Sequence, residues 1–211
     1  MKKLTLMMGA LIALGGCGDD DSTDDTDTTV GVDMGTPAED DLGTPDALSC
    51  QALVPTSGFG TDTGRNMDGF TLQDCSGTDY SFYNEGFCEN ELTVVNIAAG
   101  WCPPCIAESE QLEAEINDFY AGQGVRVIQI LTQTADYSAP DLAYCSGWVE
   151  RFGLSNVQLI DPAQLTGIFF PDNALPSTLI VDSAGVIRFR ENGATDGLTS
   201  LKSAIDAVLA D

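Results

Sequence analysis

Apolar and polar positions along the chain follow two periods, one typical of strands and one typical of helices. The nearly continuous apolar run at residues 91–99 predicts a central strand that is covered on both faces. Apolar residues at helical spacing predict a long helix after it, which Gly122 and Gly124 end. Strands are predicted at residues 69–74, 80–83, 91–99, 125–131, 157–160, 177–181 and 186–190, and helices at residues 104–120, 140–152 and 198–209, with a helical turn or two within 161–170.

The order of these elements predicts the fold class. A pair of strands is followed by alternating strands and helices, and then by a hairpin and a closing helix. Such an order gives a sheet with both parallel and antiparallel neighbours. We therefore predict an α/β domain with a mixed central sheet, helices on both faces and an N-terminal β-hairpin extension.

The start of the chain predicts export and a lipid anchor. Residues 1–3 include two lysines, and residues 4–14 form an apolar run of signal-peptide length that is too short to span a bilayer as a mature helix. The following Leu14-Gly15-Gly16-Cys17 is similar to the bacterial lipoprotein signal, in which the cysteine is lipid-modified. We predict a signal peptide at residues 1–16 and a lipid on Cys17 that anchors the protein to a membrane. The alternative is an ordinary secretory signal with an incidental cysteine.

The segment after Cys17 has the composition of a disordered tether. Residues 18–47 contain eleven acidic residues and no basic ones, and they lack apolar periodicity. Such a segment cannot bury enough surface to offset its ordering entropy, and self-repulsion extends it. We predict an acidic tether at residues 17–49 and a folded domain at residues 50–211. A tail that binds calcium or a basic partner is the alternative, although the D-x-D-x-D-G calcium-loop pattern is absent.

The predicted domain is acidic in its own right. The chain has a formal net charge of −25, and from residue 51 onward it has 22 acidic and 6 basic residues. Nucleic acid is excluded as a partner, because phosphate binding needs basic patches. The same charge disfavours direct adhesion of the domain to anionic lipid.

The run Trp101-Cys102-Pro103-Pro104-Cys105 carries the candidate chemistry. It joins the predicted central strand to its helix, at the edge where open α/β sheets hold their sites. Unpaired N–H groups at a helix N-terminus favour a thiolate at Cys102, and Cys105 lies one turn on, where it can close a disulfide. CxxC also serves as half a zinc site, but the chain has no histidine and no second CxxC. We therefore predict a redox-active dithiol, with no metal and no cofactor.

The remaining cysteines predict structural disulfides. Seven cysteines are ordinary for an exported protein, and four remain after Cys17 and the dithiol are set aside. Four cysteines allow three connectivities. A predicted hairpin favours Cys75–Cys88, which leaves Cys50–Cys145, and four free buried thiols are the alternative.

Residues 92–105, with the sequence Leu-Thr-Val-Val-Asn-Ile-Ala-Ala-Gly-Trp-Cys-Pro-Pro-Cys, resemble the core of a known family. It is the TlpA/ResA group of membrane-anchored, thioredoxin-like thiol-disulfide oxidoreductases in the redoxin superfamily. The likeness covers about residues 66–210. It implies a thioredoxin-like fold and disulfide exchange with thiol- or disulfide-bearing proteins of the bacterial cell envelope, and it favours a reductant that a membrane electron donor recharges. The domain would then lie in the periplasm or another extracytoplasmic space.

The resemblance also implies roles for single residues. Pro176 falls where thioredoxin folds place a cis-proline, which would turn the backbone of Leu175 toward a substrate chain; an ordinary trans proline is the alternative. Glu108 falls where some members have a buried acid that accepts or relays the proton of Cys105, and a solvated helix residue is the alternative. Trp101 would shield and shape the site, or else belong to the core. In the implied exchange, Cys102 attacks a partner's disulfide and Cys105 resolves the mixed disulfide.

Three other functions compete with disulfide exchange. Peroxiredoxin-like peroxidases place a Thr three residues before the attacking cysteine and a Pro further upstream, where this chain has Ala99 and Val95. Copper-delivery proteins of the same fold normally have a wider cysteine spacing and a histidine ligand, and this chain has no histidine. The third is a non-enzymatic surface lipoprotein in which Cys102 and Cys105 form a permanent structural bridge.

Overall fold

The strands of the domain form one mixed sheet. The computed structural model describes residue 50 and residues 52–84, 87–193 and 196–210. The predicted signal peptide at 1–16, the predicted lipid site Cys17 and the predicted tether at 17–49 lie outside the described residues. Within the described ranges the strands are β1 (Thr71–Asp74), β2 (Asp79–Ser81), β3 (Leu92–Ala98), β4 (Val125–Leu131), β5 (Val157–Ile160), β6 (Ser177–Asp182) and β7 (Ile187–Asn192).

The strand β3 occupies the position in the sheet that its apolar run predicts. The strand order is β2-β1-β5-β4-β3-β6-β7, and β3 lies between the parallel β4 and the antiparallel β6. All seven residues of β3 are buried. Because Ile97 near the end of β3 pairs with Ser177 at the start of β6, these two strand ends lie side by side. The candidate site is built at this edge of the sheet.

Three α-helices complete the domain within the described ranges, and they match the predicted helices closely. The first of these helices continues directly into a π-helical segment, Glu113–Asn117. The predicted long helix is therefore present, but it changes from α-helical to π-helical geometry. The predicted helical turn within 161–170 is a 3₁₀ helix, Leu165–Phe169. No helix in the described part of the chain is long and apolar enough to cross a membrane. The helices are α1 (Pro103–Leu112), α2 (Leu142–Phe152) and α3 (Thr199–Leu209).

The N-terminal hairpin extends the sheet beyond β5. β1 pairs antiparallel with β2 on one side and with β5 on the other. Aromatic side chains behind the hairpin pack against each other, with ring centroids 4.8–6.2 Å apart. The predicted α/β class, with its mixed sheet and N-terminal hairpin, is confirmed. The aromatic residues are Phe70, Phe82, Tyr83 and Phe87.

The two structural disulfides are paired differently from the favoured prediction. The structure joins Cys50 to Cys88 and Cys75 to Cys145, with Cα–Cα distances of 5.5 Å and 5.2 Å. The reason lies in the strand order: β1 pairs with β5, and α2 packs beside β5, so the end of β1 comes close to α2. Cys75 therefore meets Cys145 on α2. The pairing Cys75–Cys88, which assumed that both partners lie on one hairpin, is wrong.

Candidate active site

The dithiol lies at the N-terminus of α1, as the sequence predicts. Cys102 is the N-cap residue of this helix, and its Sγ accepts a hydrogen bond from the backbone N–H of Cys105 at 3.2 Å. Proline occupies the first helical positions, where the missing N–H groups leave no backbone bond unmade. Cys102 and Cys105 are joined by a disulfide, and Cys102 is only 2% exposed. The arrangement places one nearly covered sulfur in contact with a helix N-terminal donor.

The loop before the dithiol is held close to the segment that follows β4. Gly100 donates its N–H to the carbonyl of Gln133 at 2.8 Å. A Cβ at this position would lie 1.8 Å from the Tyr144 hydroxyl and 2.8 Å from the backbone nitrogen of Ala135. Only glycine allows this approach. The position of the dithiol therefore depends on a backbone contact between two loops at the same edge of the sheet.

Trp101 forms an aromatic wall beside the dithiol. Its Nε1 donates to Oε1 of Gln133 at 2.9 Å, and its ring stacks on Tyr137 with centroids 5.2 Å apart. Tyr137 is 64% exposed and has a φ of +67°, a conformation that few non-glycine residues adopt. Trp101 itself is only half-buried. Trp101 also packs against the buried core cluster, so its shielding role stays a prediction. Sequence reasoning missed both Gln133 and Tyr137.

The Leu175–Pro176 peptide bond is cis. Both residues are buried, and Pro176 directly precedes β6, whose first residue pairs with the end of β3. The Pro176 carbonyl accepts from the N–H of Gly193 at 2.7 Å, and the Leu175 N–H donates to the carbonyl of Asn173 at 3.0 Å. A substrate chain that pairs with the Leu175 N–H would therefore have to replace this internal contact.

Glu108 lies buried on α1, one turn beyond Cys105. It is 5% exposed, and its Oε2 accepts a hydrogen bond from Nδ2 of Asn96 at 3.0 Å. Burial raises the pKa of Glu108 to about 7, the Asn96 hydrogen bond acts against this rise, and the charges of Glu191 and Asp196 add to it. The expectation of a buried acid is confirmed, and the alternative of a solvated helix residue is wrong. A carboxyl group that titrates near neutral pH can accept or return a proton under physiological conditions.

A buried hydrogen-bonded network, which sequence reasoning missed, continues from Glu108 across the sheet. Its signal was present in the sequence, because single polar residues interrupt the apolar runs of β3 and β4. Buried polar groups of this kind need partners, and here every link is between 2.9 and 3.0 Å. Its members are Glu108 and Ser109 on α1, Asn96 on β3, Gln129 on β4, Trp148 on α2 and Thr178 on β6.

Solved structures with this fold include redox proteins. The chain superposes on the thioredoxin domain of a thiol-disulfide oxidoreductase from Bacteroides vulgatus with a TM-score of 0.53 and 16% identity, covering 68% of this chain and 98% of that domain. A Chlorobium tepidum protein assigned as thiol:disulfide interchange protein DsbE gives a TM-score of 0.59 and 16% identity, covering 71% of this chain and 99% of that one. At this identity the likeness establishes the thioredoxin-like fold.

Sequence relatives carry the name thiol:disulfide interchange protein DsbE. The relative from Vibrio cholerae is 28% identical over 131 residues, which cover 62% of this chain and 65% of the relative. The one from Haemophilus influenzae is 32% identical over 114 residues, 54% of this chain and 57% of the relative. The chain thus spans between about half and two thirds of the length of these relatives.

The family model agrees with the fold and with the placement of the dithiol. It is the Redoxin model, and it matches residues 62–209. That range contains the whole sheet, the three α-helices, the dithiol and the cis-proline. The chain therefore belongs to the Redoxin family.

Proposed function

We propose that this protein is a thiol-disulfide oxidoreductase that exchanges disulfides with partner proteins through Cys102 and Cys105 and acts as a reductant. The observation that carries the proposal is the dithiol at the N-cap of α1, at the sheet edge where Pro176 directly precedes β6. The name of the relatives from Vibrio cholerae and Haemophilus influenzae supports the same activity.

The exchange proceeds through a mixed disulfide. The Cys102 thiolate attacks one sulfur of a partner's disulfide, and the second partner sulfur leaves as a thiolate that takes up a proton. Cys105 then loses its proton and attacks Sγ of Cys102, which releases the first partner sulfur. Two electrons pass to the partner, and the Cys102–Cys105 disulfide seen in the structure is formed. Glu108, at i+3 from Cys105 on the same helix, is the base for the second step.

The helix N-terminus activates the attacking sulfur. The Cys105 N–H donates to Sγ of Cys102, and this bond becomes charge-assisted when the disulfide opens to a thiolate. The acidic surface opposes the effect, so we expect a Cys102 pKa that is lowered only modestly. Iodoacetamide alkylation of the reduced protein against pH measures it. A reactive group that titrates at or above the free-thiol value of about 8.5 would contradict an activated thiolate.

The chain is proposed to act in the bacterial cell envelope. Residues 1–16 serve as the signal peptide, Cys17 carries the lipid, and residues 17–49 tether the domain at 50–211 to the membrane. Disulfide-bearing envelope proteins are the substrates, and a membrane electron donor restores the dithiol. The test is whether the protein labels with a fatty acid in cells and sediments with membranes. A Cys17→Ala variant that labels and sediments equally well would contradict the anchor.

Trapping with a resolving-cysteine variant tests the activity most directly. The Cys105→Ser variant should hold partners as mixed disulfides on Cys102, and the matched Cys102→Ser variant should hold none. We expect insulin reduction by the wild type and none by Cys102→Ser. An isolated domain whose disulfide stays closed under mild reductants would contradict the proposal. A measured potential near −270 mV, the value of thioredoxin, supports a reductant, whereas one near −120 mV supports an oxidant.

A further inference from the structure

A continuous chain of buried hydrogen bonds leads from Trp148 on α2 to Glu108 on α1, which we call the acid beneath the dithiol. Nε1 of Trp148 donates to Oε1 of Gln129 at 2.9 Å, and Nε2 of Gln129 donates to Oδ1 of Asn96 at 2.9 Å. Nδ2 of Asn96 then donates to Oε2 of Glu108 at 3.0 Å. All four residues are 5% exposed or less. The two amides are thus placed in series between an indole and a carboxyl group.

The remaining amide hydrogens are also used, so the network has one consistent orientation. Gln129 gives its second Nε2 hydrogen to Oγ of Ser109 at 2.9 Å, and Ser109 donates to the carbonyl of Cys105 at 2.9 Å. Asn96 gives its second Nδ2 hydrogen to Oγ1 of Thr178 at 2.9 Å. Neither amide has a spare hydrogen in this arrangement. A change of direction at one amide therefore disturbs its neighbours.

The donor at the far end decides the direction of the chain. An indole N–H can only donate, so the oxygen of Gln129 must face Trp148 and its nitrogen must face Asn96. The nitrogen of Asn96 then faces Glu108, which can accept in its ionised form. If both amides were reversed, the oxygen of Asn96 would face Glu108, and only a protonated carboxyl group could bond to it. The reversed chain would also leave two donors facing each other at Trp148.

We propose that Trp148 is a positioning residue: through Gln129 it fixes the amide of Asn96 as a donor to Glu108 and so controls the protonation of the acid beneath the dithiol. The proposal rests on the proposed function only for its last link, the passage of a proton between Glu108 and Cys105. Its first link concerns a carboxyl group in the folded protein, and that link can be measured without any partner.

Other groups also affect the pKa of Glu108, and they are the same residues in the wild type and in the Trp148 variants. The carboxylates of Glu191 on β7 and Asp196 after it raise its pKa, whereas Thr178 on β6 is held by the same Asn96 nitrogen that faces Glu108. Cys105 on α1 is closed in a disulfide and does not titrate in the oxidised protein. The variants at Trp148 change none of these residues.

Carboxyl infrared titration of the oxidised protein tests the proposal. The protonated C=O band of Glu108 is identified by its loss in the Glu108→Gln variant, and its midpoint pH is compared between wild type and Trp148→Phe. Removing the indole donor frees the amides to reverse and favours the protonated acid, so we expect the midpoint to rise by about one pH unit, the size of one hydrogen bond to a charged group. Phe152→Leu is the matched control, because it removes an aromatic contact of Trp148 at 4.6 Å and leaves the indole N–H in place.

The outcomes separate this proposal from simpler explanations. An unchanged midpoint in a folded Trp148→Phe protein overturns it, and so does an equal shift in Phe152→Leu, which would indicate packing alone. If Trp148→Phe does not fold, site-specific replacement of Trp148 by its benzothiophene analogue keeps the ring size and removes only the N–H. The same upward shift is then expected, and its absence overturns the proposal.

A kinetic measurement tests whether the hydrogen-bond chain from Trp148 to Glu108 affects the reaction. In the wild type, the pH profile of mixed-disulfide resolution should have a limb at the midpoint of Glu108, and this limb should move with the infrared midpoint in Trp148→Phe. If the wild type exchanges no disulfides, the proposed function is wrong. The infrared shift in Trp148→Phe still shows whether Trp148 controls the protonation of Glu108. If exchange occurs but its limb stays fixed while the infrared midpoint moves, the link to Cys105 is overturned.

Discussion

The same covalent bond occurs in two very different settings in this protein. At the dithiol, Cys102 and Cys105 are three positions apart, and a helix N-terminal N–H already contacts one of the sulfurs. At the hairpin corner, which we define as β1, β2 and the disulfides beside them, the bonds join residues 38 and 70 positions apart. Closing a long loop removes much more freedom from the unfolded chain than closing a short one. The corner disulfides are therefore suited to hold the fold, and the dithiol disulfide is suited to open.

The largest expected effect separates these two settings by stability. Removing the 70-residue link in Cys75→Ser/Cys145→Ser should lower the free energy of unfolding by about 4 kcal/mol, whereas Cys102→Ser/Cys105→Ser should lower it by less than about 2 kcal/mol. Guanidinium denaturation of the oxidised proteins measures both. Insulin reduction should be retained in Cys75→Ser/Cys145→Ser, at a temperature where this variant is folded, and lost in Cys102→Ser/Cys105→Ser. Equal losses of stability in the two variants would break the comparison.

The acid beneath the dithiol provides the second test, through the pH dependence of stability. Glu108 has a folded pKa of about 7, above its ordinary value of 4.5. Between these two values the unfolded chain has released the proton that the folded chain still holds, so stability falls as pH rises from about 4.5 to about 7. Glu108→Gln should remove this fall, which amounts to at most about 3 kcal/mol.

Oxidised protein is the right sample for that measurement, because neither dithiol sulfur then titrates. Glu113→Gln is a useful control on the continuation of the same helix. Hydrogen bonds from Ser155 and Asn117 lower the pKa of Glu113 despite some burial, so its stabilising effect is lost as pH falls rather than as pH rises. A wild-type profile that is flat between pH 4.5 and pH 7 would contradict a buried, proton-holding Glu108.

The contrast between the two settings also explains what the sequence could predict. The dithiol follows from local features: an apolar run that becomes β3, and two cysteines at the start of a helix. Glu108 was singled out through the family resemblance, and its burial on α1 agrees with that expectation. The position of the dithiol at the start of a helix depends on neighbours in the chain, and it was predicted correctly.

The corner disulfides and the buried network depend on how distant segments meet. Cys75 pairs with Cys145 because β1 is placed beside β5, and no periodicity in the sequence specifies that strand order. Asn96 and Gln129 stand out as polar residues in apolar runs and bond to each other, but the next partner of Gln129, Trp148, lies on another element, α2. Local patterns therefore marked the polar positions in the core without revealing that they form one chain.

The smallest expected effect concerns the aromatic wall of Trp101 and Tyr137 beside the dithiol. Tyr137 stacks on Trp101, and Trp101 packs against the buried cluster that includes Cys102. Tyr137→Asn removes the ring and suits the left-handed backbone at this position, since asparagine tolerates a positive φ. Trp101 would then leave the position seen in the structure more often. We expect alkylation of Cys102 in the reduced protein to accelerate about two- to tenfold, the equivalent of the ~0.5–1.5 kcal/mol of an aromatic pair.

Tyr137→Phe is the matched control for this wall, because it keeps the ring and should leave the alkylation rate unchanged. The rate must be compared at a pH well above the Cys102 pKa, so that access rather than ionisation limits it. The hydrogen bond from Trp101 to Gln133 remains in both variants and limits how far the indole can move. If Tyr137→Asn alkylates no faster than Tyr137→Phe, that hydrogen bond alone holds Trp101 in place, and the exposed tyrosine takes no part in covering the reactive sulfur.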